Sequence, residues 1–324
     1  MRNRYVAIAV GLLGVVLLVV PPAAGQSAAD GWVMPRTADG QPELQGAWSF
    51  ANLTPLERPD ELAGRELLTD EEVAARNADA STRASSDRRG ELTRERDVGL
   101  AYNQFWWDRG TSDGRTSLIV DPADGRVPYT PAGRERAAAL RQFRGRPAHG
   151  PEDRGLQERC IQYRPLPRLP TGYNNHYQIV QTPNHVAILV EMIHAVRISP
   201  LDGRPHVDDG VRLWNGDSRG RWEGDTLVVE TTNFSDKTNF SGSGANLHLV
   251  ERFRRVDADT VEYEFTVKDP GVWERPWTGM LPFTKTEEPI FEYACHEGNY
   301  GMTNLLVGAR FEDRAIEESK TQSR

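Results

Sequence analysis

The chain has 324 residues, with Lys+Arg 39, Asp+Glu 47 and a net charge of −8 at pH 7. At 38% hydrophobic and 27% charged residues it is neither a disordered chain nor a multi-span membrane protein. Its acidic balance lacks the basic footprint of a nucleic-acid binder.

Residues 1–25 read as a secretory signal peptide. Arg2 and Arg4 give the positive start, Val6 to Val20 is apolar, and Ala23-Ala24-Gly25 sets small residues before a cut at Gln26. A membrane anchor is the alternative, but Pro21-Pro22 ends the run short of the roughly 20 apolar residues of a span. Removal would leave a periplasmic or extracellular chain with no later membrane span. Residues 26–100 read as an irregular and helical extension. A helix starts at Thr69, where Thr69 and Glu72 match a capping box. Residues 79–98 are charged and almost free of large apolar groups, as in a flexible excursion or a solvated helix.

Residues 101–324 read as an antiparallel β-domain with one inserted helix, about 131–144, opened by Thr130-Pro131. Strands are predicted at Thr116–Val120, Tyr177–Gln181, Val186–Ile198, Arg219–Trp222, Thr226–Thr232, Leu247–Val256, Thr260–Lys268, Thr278–Thr286 and Ile290–Ala294. Glu223-Gly224-Asp225 and Asp257-Ala258-Asp259 join neighbouring strands as hairpins. Such a meander must hide its edges. A calycin-like closed barrel does so most simply, and a two-sheet sandwich is the alternative. Cys160 and Cys295 are the two cysteines. In an exported chain they predict one disulfide, with two buried free thiols as the alternative.

The stretch from Leu201-Asp202-Gly203-Arg204-Pro205-His206 through Gly216-Asp217-Ser218-Arg219-Gly220-Arg221-Trp222-Glu223-Gly224-Asp225-Thr226 to Phe234 resembles a known pattern. So do Gly46-Ala47-Trp48, Ser117 to Pro122 and the tail Tyr293-Ala294-Cys295-His296-Glu297-Gly298-Asn299-Tyr300. Together they resemble a family of secreted bacterial proteins, common in soil bacteria, over most of the mature chain. The resemblance implies an exported, β-rich, calycin-like fold. It supplies no activity, cofactor or catalytic residue.

Four polar groupings could carry chemistry. His194 interrupts the apolar face of Val186–Ile198, while Glu191 and Arg197 lie on the opposite face. A bulge would bring Glu191 and His194 together as an acid/base pair. A core histidine bonded to a carbonyl is the plainer outcome. His296 and Glu297 form a second acid/base candidate, with Asn299 and Tyr300 on a pocket rim. Tyr173, Asn174, Asn175 and His176 suit a polar ligand, and equally suit a turn. Trp106 and Trp107 offer an aromatic platform or a core plug. Glu251 falls on the apolar face of its strand, and an inward acid needs a partner. No nucleophile elbow, His-Glu-x-x-His or phosphate loop occurs. No metal or cofactor is assigned. The leading function is an exported barrel binding a small-molecule or carbohydrate-like ligand. The alternatives are a hydrolase or lyase on a carbohydrate-like substrate with a His/Glu pair, and a structural or partner-binding envelope protein. The loop at 173–176, the tail at 296–300 and residues Glu191, His194 and Arg197 are expected to share one pocket.

Overall fold

The computed structural model describes residues 31–85, 103–144, 147–163 and 166–322. The signal segment and most of the charged stretch 79–98 fall outside them. Among them the architecture is one antiparallel sheet of ten strands. They are β1 (Gly46–Ser49), β2 (Ile119–Asp121), β3 (His176–Thr182), β4 (His185–Val190), β5 (Val196–Pro200), β6 (Asp217–Glu223), β7 (Thr226–Thr232), β8 (His248–Arg255), β9 (Thr260–Lys268) and β10 (Trp277–Thr286). Among the described residues three α-helices accompany them: α1 (Asp70–Ala84), α2 (Pro131–Arg144) and α3 (Tyr300–Gln322). Among the described residues no helix is long and apolar enough to cross a membrane.

The strand order is β5-β4-β3-β1-β10-β9-β8-β7-β6, with β2 added on β10. Two meanders, β3 to β5 and β6 to β10, are joined through β1, which pairs with both β3 and β10. The stretch read as an extension therefore supplies a central strand. Met34, Leu44, Trp48 and Phe50 from it are buried in the core, and the Trp48 indole N–H donates to the Leu44 carbonyl at 2.8 Å.

The sheet rolls until its edge strands lie side by side. A Cβ added to Gly220 of β6 would come within 3.6 Å of Ser199 and Pro200 of β5, and 2.6 Å from Leu201. Yet no hydrogen-bonded register joins β5 to β6 among the described residues. The expected closure is thus met only in part, and a seam replaces the last ladder.

Within the sheet the period of two holds well. In β9, Val261, Tyr263, Phe265 and Val267 are buried and alternate with partly exposed residues. Tyr263 stacks on Phe283 at 4.8 Å between centroids, and Phe50 packs on Tyr177 at 4.7 Å. Such pairs add about 0.5–1.5 kcal/mol each beyond their buried area. Gly224 has φ +60° at the first position of the β6–β7 turn, a value that glycine adopts freely.

Two expected strands are corrected. Val186–Ile198 is a hairpin, in which β4 and β5 are joined by a turn at residues 191–195. Residues 290–294 form no strand, and the chain beyond them turns into α3. Helix α1 starts at the Thr69–Glu72 capping box, with both reciprocal hydrogen bonds present.

Cys160 and Cys295 are bonded, with Cα atoms 5.6 Å apart. Closing a loop of 135 residues stabilises the fold by about 4–5 kcal/mol in the chain-entropy view.

Candidate functional site

The turn at 191–195 decides where the polar residues go. Paired residues of an antiparallel ladder share a face. Ile188 pairs with Arg197 and Leu189 with Val196. Ile188 points inward, so Arg197 does too, while Val196 and Ile198 are exposed on the outer face. The continuous-strand expectation had this reversed, because the register pairs positions an odd number apart, such as 188 with 197, so the inward face passes from even-numbered to odd-numbered residues across the turn.

Arg197 enters the interior and meets Glu251, the expected inward acid. Both are buried, Glu251 completely. Arg197 Nη1 donates to Glu251 Oε2, and Nη2 donates to Oε1 at 3.1 Å. The Tyr263 hydroxyl donates to the same Oε1 at 2.8 Å. Glu251, Val229 and Gly220 form one row across β8, β7 and β6. Gly220 carries no side chain at the seam, and the Leu201 side chain takes the space, its Cδ2 lying 2.6 Å from where a Cβ would stand. The ion pair joins the β5 edge to β8, two strands in from the β6 edge, and so spans the seam from within.

Beside this pair lies a cavity of about 10 Å³, the room of one water molecule. Arg168, Tyr177, Arg197 and Asn215 line it, together with Leu166, Ile188, Val190 and Ala195. Among the described residues the Tyr177 hydroxyl is buried and has no hydrogen-bond partner; the Ser199 hydroxyl on β5, which does not line the cavity, is likewise buried and without one. Burial pushes the Tyr177 and Tyr263 phenols well above their ordinary values, so both stay neutral donors. Burial also lowers the pKa of Arg168, and the Arg197 charge lowers it further against the raising effect of Tyr177 and Glu251.

A second polar group sits at the start of β3. The His176 Nδ1–H donates to Glu191 Oε2 at 2.7 Å, and the Glu191 amide donates to the His176 carbonyl at 3.1 Å. The hydrogen bond to Glu191 raises the His176 pKa, with burial opposing it and the charges of Glu191, Asp108 and Glu288 adding to it. Asp108 is raised by its own burial, against the lowering effect of His176, and its Oδ2 is buried without a partner among the described residues. This pair holds the 191–195 turn, where buried Ile193 takes the left-handed φ of 59°.

The remaining candidates fall elsewhere. His194 lies in the turn rather than on a strand, and its side chain falls outside the described residues. His296, Glu297 and Tyr300 are exposed. Asn299 caps α3 by accepting from the Met302 amide, and its Nδ2 donates to the Glu158 carbonyl at 3.0 Å. Asn175 is fully buried and tied to Asp108 and Thr171 through their backbones. Asn174 takes the left-handed φ of 53° beside it. Trp106 is exposed. Trp107 packs on Tyr173 at 6.1 Å and under the Arg109 guanidinium at 4.0 Å. The single-pocket expectation therefore resolves into two groups, Arg197–Glu251 inside and His176–Glu191 at the strand end.

Sequence reasoning missed Arg168, Tyr177, Ser199, Tyr263 and Asp108. The inward Glu251 was the signal available, since a buried carboxylate demands donors on the facing strands. Among the described residues no group of three His, Cys, Asp or Glu is arranged to hold a metal ion.

No family model and no curated protein matches the chain. Among solved structures it is similar to a mutant of the fluorescent protein UnaG, at 12% identity over 35% of this chain and 72% of that chain, with a TM-score of 0.22. A superposition that loose defines neither a shared fold nor a shared ligand.

Proposed function

We propose that this chain is an exported small-molecule-binding β-protein, and that its ligand is held in the interior beneath the β5–β6 seam. The supporting observation is the Tyr177 hydroxyl, which is buried, lines the cavity and has no partner among the described residues. An orphaned buried hydroxyl costs about 1–3 kcal/mol, and a ligand acceptor would recover it. Access needs no backbone hydrogen bond to break, because β5 and β6 share none among the described residues. Export is supported by the Cys160–Cys295 disulfide, a bond that persists in oxidising compartments, together with the signal-like first 25 residues.

A thermal-shift screen of small carboxylates, amides and sugars against wild type and Tyr177→Phe tests the site. At least one compound should raise the wild-type Tm, and the shift should fall by half or more in Tyr177→Phe. No shift in wild type, or equal shifts in both proteins, would contradict it.

The His176–Glu191 pair favours a second reading, a hydrolase or lyase. Glu191 holds the imidazole through Nδ1, as an orienting carboxylate does for a general base. A glycosidase, esterase and lyase substrate panel that shows turnover in wild type and none in His176→Gln would favour it over binding alone.

A further inference from the structure

We propose that the turn at 191–195 is a gate to the interior, and that the His176–Glu191 pair is its pH-sensitive latch. This rests on the interior site proposed above and adds its regulation. The two latch residues are chain neighbours of the cavity wall. His176 precedes Tyr177 on β3, Glu191 follows Val190 at the end of β4, and Tyr177 and Val190 are paired in the β3–β4 register. Tyr177 and Val190 line the cavity, and so does Ala195 at the far end of the turn. A shift of the turn therefore moves the cavity wall itself.

The turn is fastened locally. The Val190 amide donates to the Ala195 carbonyl at 2.9 Å, and the Glu191 amide donates to the His176 carbonyl at 3.1 Å. The His176 Nδ1–H reaches Glu191 Oε2 at 2.7 Å. Between these bonds Ile193 holds a left-handed φ of 59°, which a branched side chain adopts only under constraint. Beyond the turn β5 has no ladder to β6 among the described residues, so the seam adds no backbone bond to the hold. Met192 and Ile193 belong to the core. The lifted turn is therefore a minor state, and the latch sets how minor it is.

Glu191 in the turn, Asp108 from the loop at 103–110 and Glu288 beyond β10 all act on His176. With the turn shut, the hydrogen bond to Glu191 raises the His176 pKa above 6.5; burial opposes this, and the charges of Glu191, Asp108 and Glu288 add to it. A lifted turn carries Glu191 away, and the ring returns towards its ordinary value. The shut form thus binds the proton more tightly, so the latch holds fully below 6.5 and weakens as pH rises through the raised value. The neutral ring still donates through Nδ1, but a charge-assisted bond is roughly twice as strong as a neutral one. The buried Glu191 carboxylate also loses the positive charge beside it.

Amide hydrogen exchange without any ligand tests this, from pH 6 to pH 9. Each rate is compared with that of an unstructured chain at the same pH, which removes the intrinsic base catalysis. In wild type the Val190 and Glu191 amides should be protected at least about tenfold less than those of Phe253 and Tyr263 in β8 and β9, and should ignore sub-denaturing urea, as opening without unfolding does. Their protection should fall by about fivefold or more across the pH range in wild type, by less than about twofold in His176→Gln, and by an intermediate factor in Glu191→Gln. Turn amides that exchange only in step with the core amides, with the same response to urea, would overturn the gate. Local opening whose pH dependence is the same in wild type and both variants would overturn the latch. The comparison of turn with core lies within wild type, and two variants carry the latch, so one that fails to fold leaves the test intact. Either failure leaves the interior site standing, whereas a blank thermal-shift screen overturns that site and not the opening of the turn.

Discussion

Replacing Glu251 by Gln tests the energetic role of the interior pair. The carboxylate is fully buried and accepts from Arg197 twice and from Tyr263 once. Its removal leaves the Arg197 charge buried with a neutral amide for company. Breaking a buried pair from one side costs about 3–5 kcal/mol. For a chain of this size each kcal/mol moves the melting temperature by roughly 2 °C, so the variant should melt about 6–10 °C below wild type. The double variant Arg197→Met/Glu251→Leu removes both charges and keeps the volume. It should lie closer to wild type than either single change, because apolar replacement of a whole buried pair is often near neutral. Differential scanning calorimetry at pH 7 on Arg197→Met, Glu251→Leu and their double variant supplies the cycle, with Glu251→Gln measured beside them. A Glu251→Gln cost below about 1 kcal/mol, or a double-variant cost equal to the sum of the singles, would refute the view that the pair holds the seam.

Other expectations concern separate parts of the molecule. Reduction of Cys160–Cys295 should lower the denaturation free energy by up to about 4–5 kcal/mol, read from urea curves with and without dithiothreitol; unchanged midpoints would contradict this. Gly279→Ala places a Cβ 2.3 Å from the buried Phe265 ring, so it should cost about 1–3 kcal/mol by overpacking, while Gly203→Ala, with open space around its Cβ, should show no overpacking and only the backbone cost of φ +72°. The His176 pKa is raised above 6.5 in the folded state, chiefly by its hydrogen bond to Glu191. Its contribution to stability is therefore fully present below 6.5 and is lost as pH rises through the raised value. Asp108, raised above 3.8 by burial, acts in the same direction in a lower window, since the folded state there binds the extra proton. Urea midpoints from pH 6 to pH 9 should fall more steeply for wild type than for His176→Gln, and parallel slopes would rule out the pair as the cause.

The local pattern of the sheet was legible because its signals are local. The alternation of Thr260–Lys268, the hairpin residues Glu223-Gly224-Asp225 and the capping box at Thr69 each lie within one element, and β9, the β6–β7 turn and α1 follow them. Glu251 was read as inward from its own strand and is inward. The turn inside 186–198 was hidden. Residues Val190 to Val196 carry no Gly, Pro, Asn or Asp, and the reversal instead uses Ile193 in a left-handed conformation under the His176–Glu191 hold. That miss inverted Arg197 and obscured its partner. The role of residues 46–49 was also hidden, since a four-residue strand takes its place from β3 and β10, far along the chain. Helix α3 was missed because residues 296–300 were weighed as chemistry, while Asn299 serves as its cap.

The most direct test of the interior site is a crystal structure of the protein grown with the compound that raises the wild-type Tm most, compared with one grown without it. The expected result is ligand density beside Tyr177, with its hydroxyl donating to a ligand acceptor at hydrogen-bond distance, and β5 displaced from β6. A single water or empty space at that point in both crystals, with β5 and β6 unmoved, would contradict it.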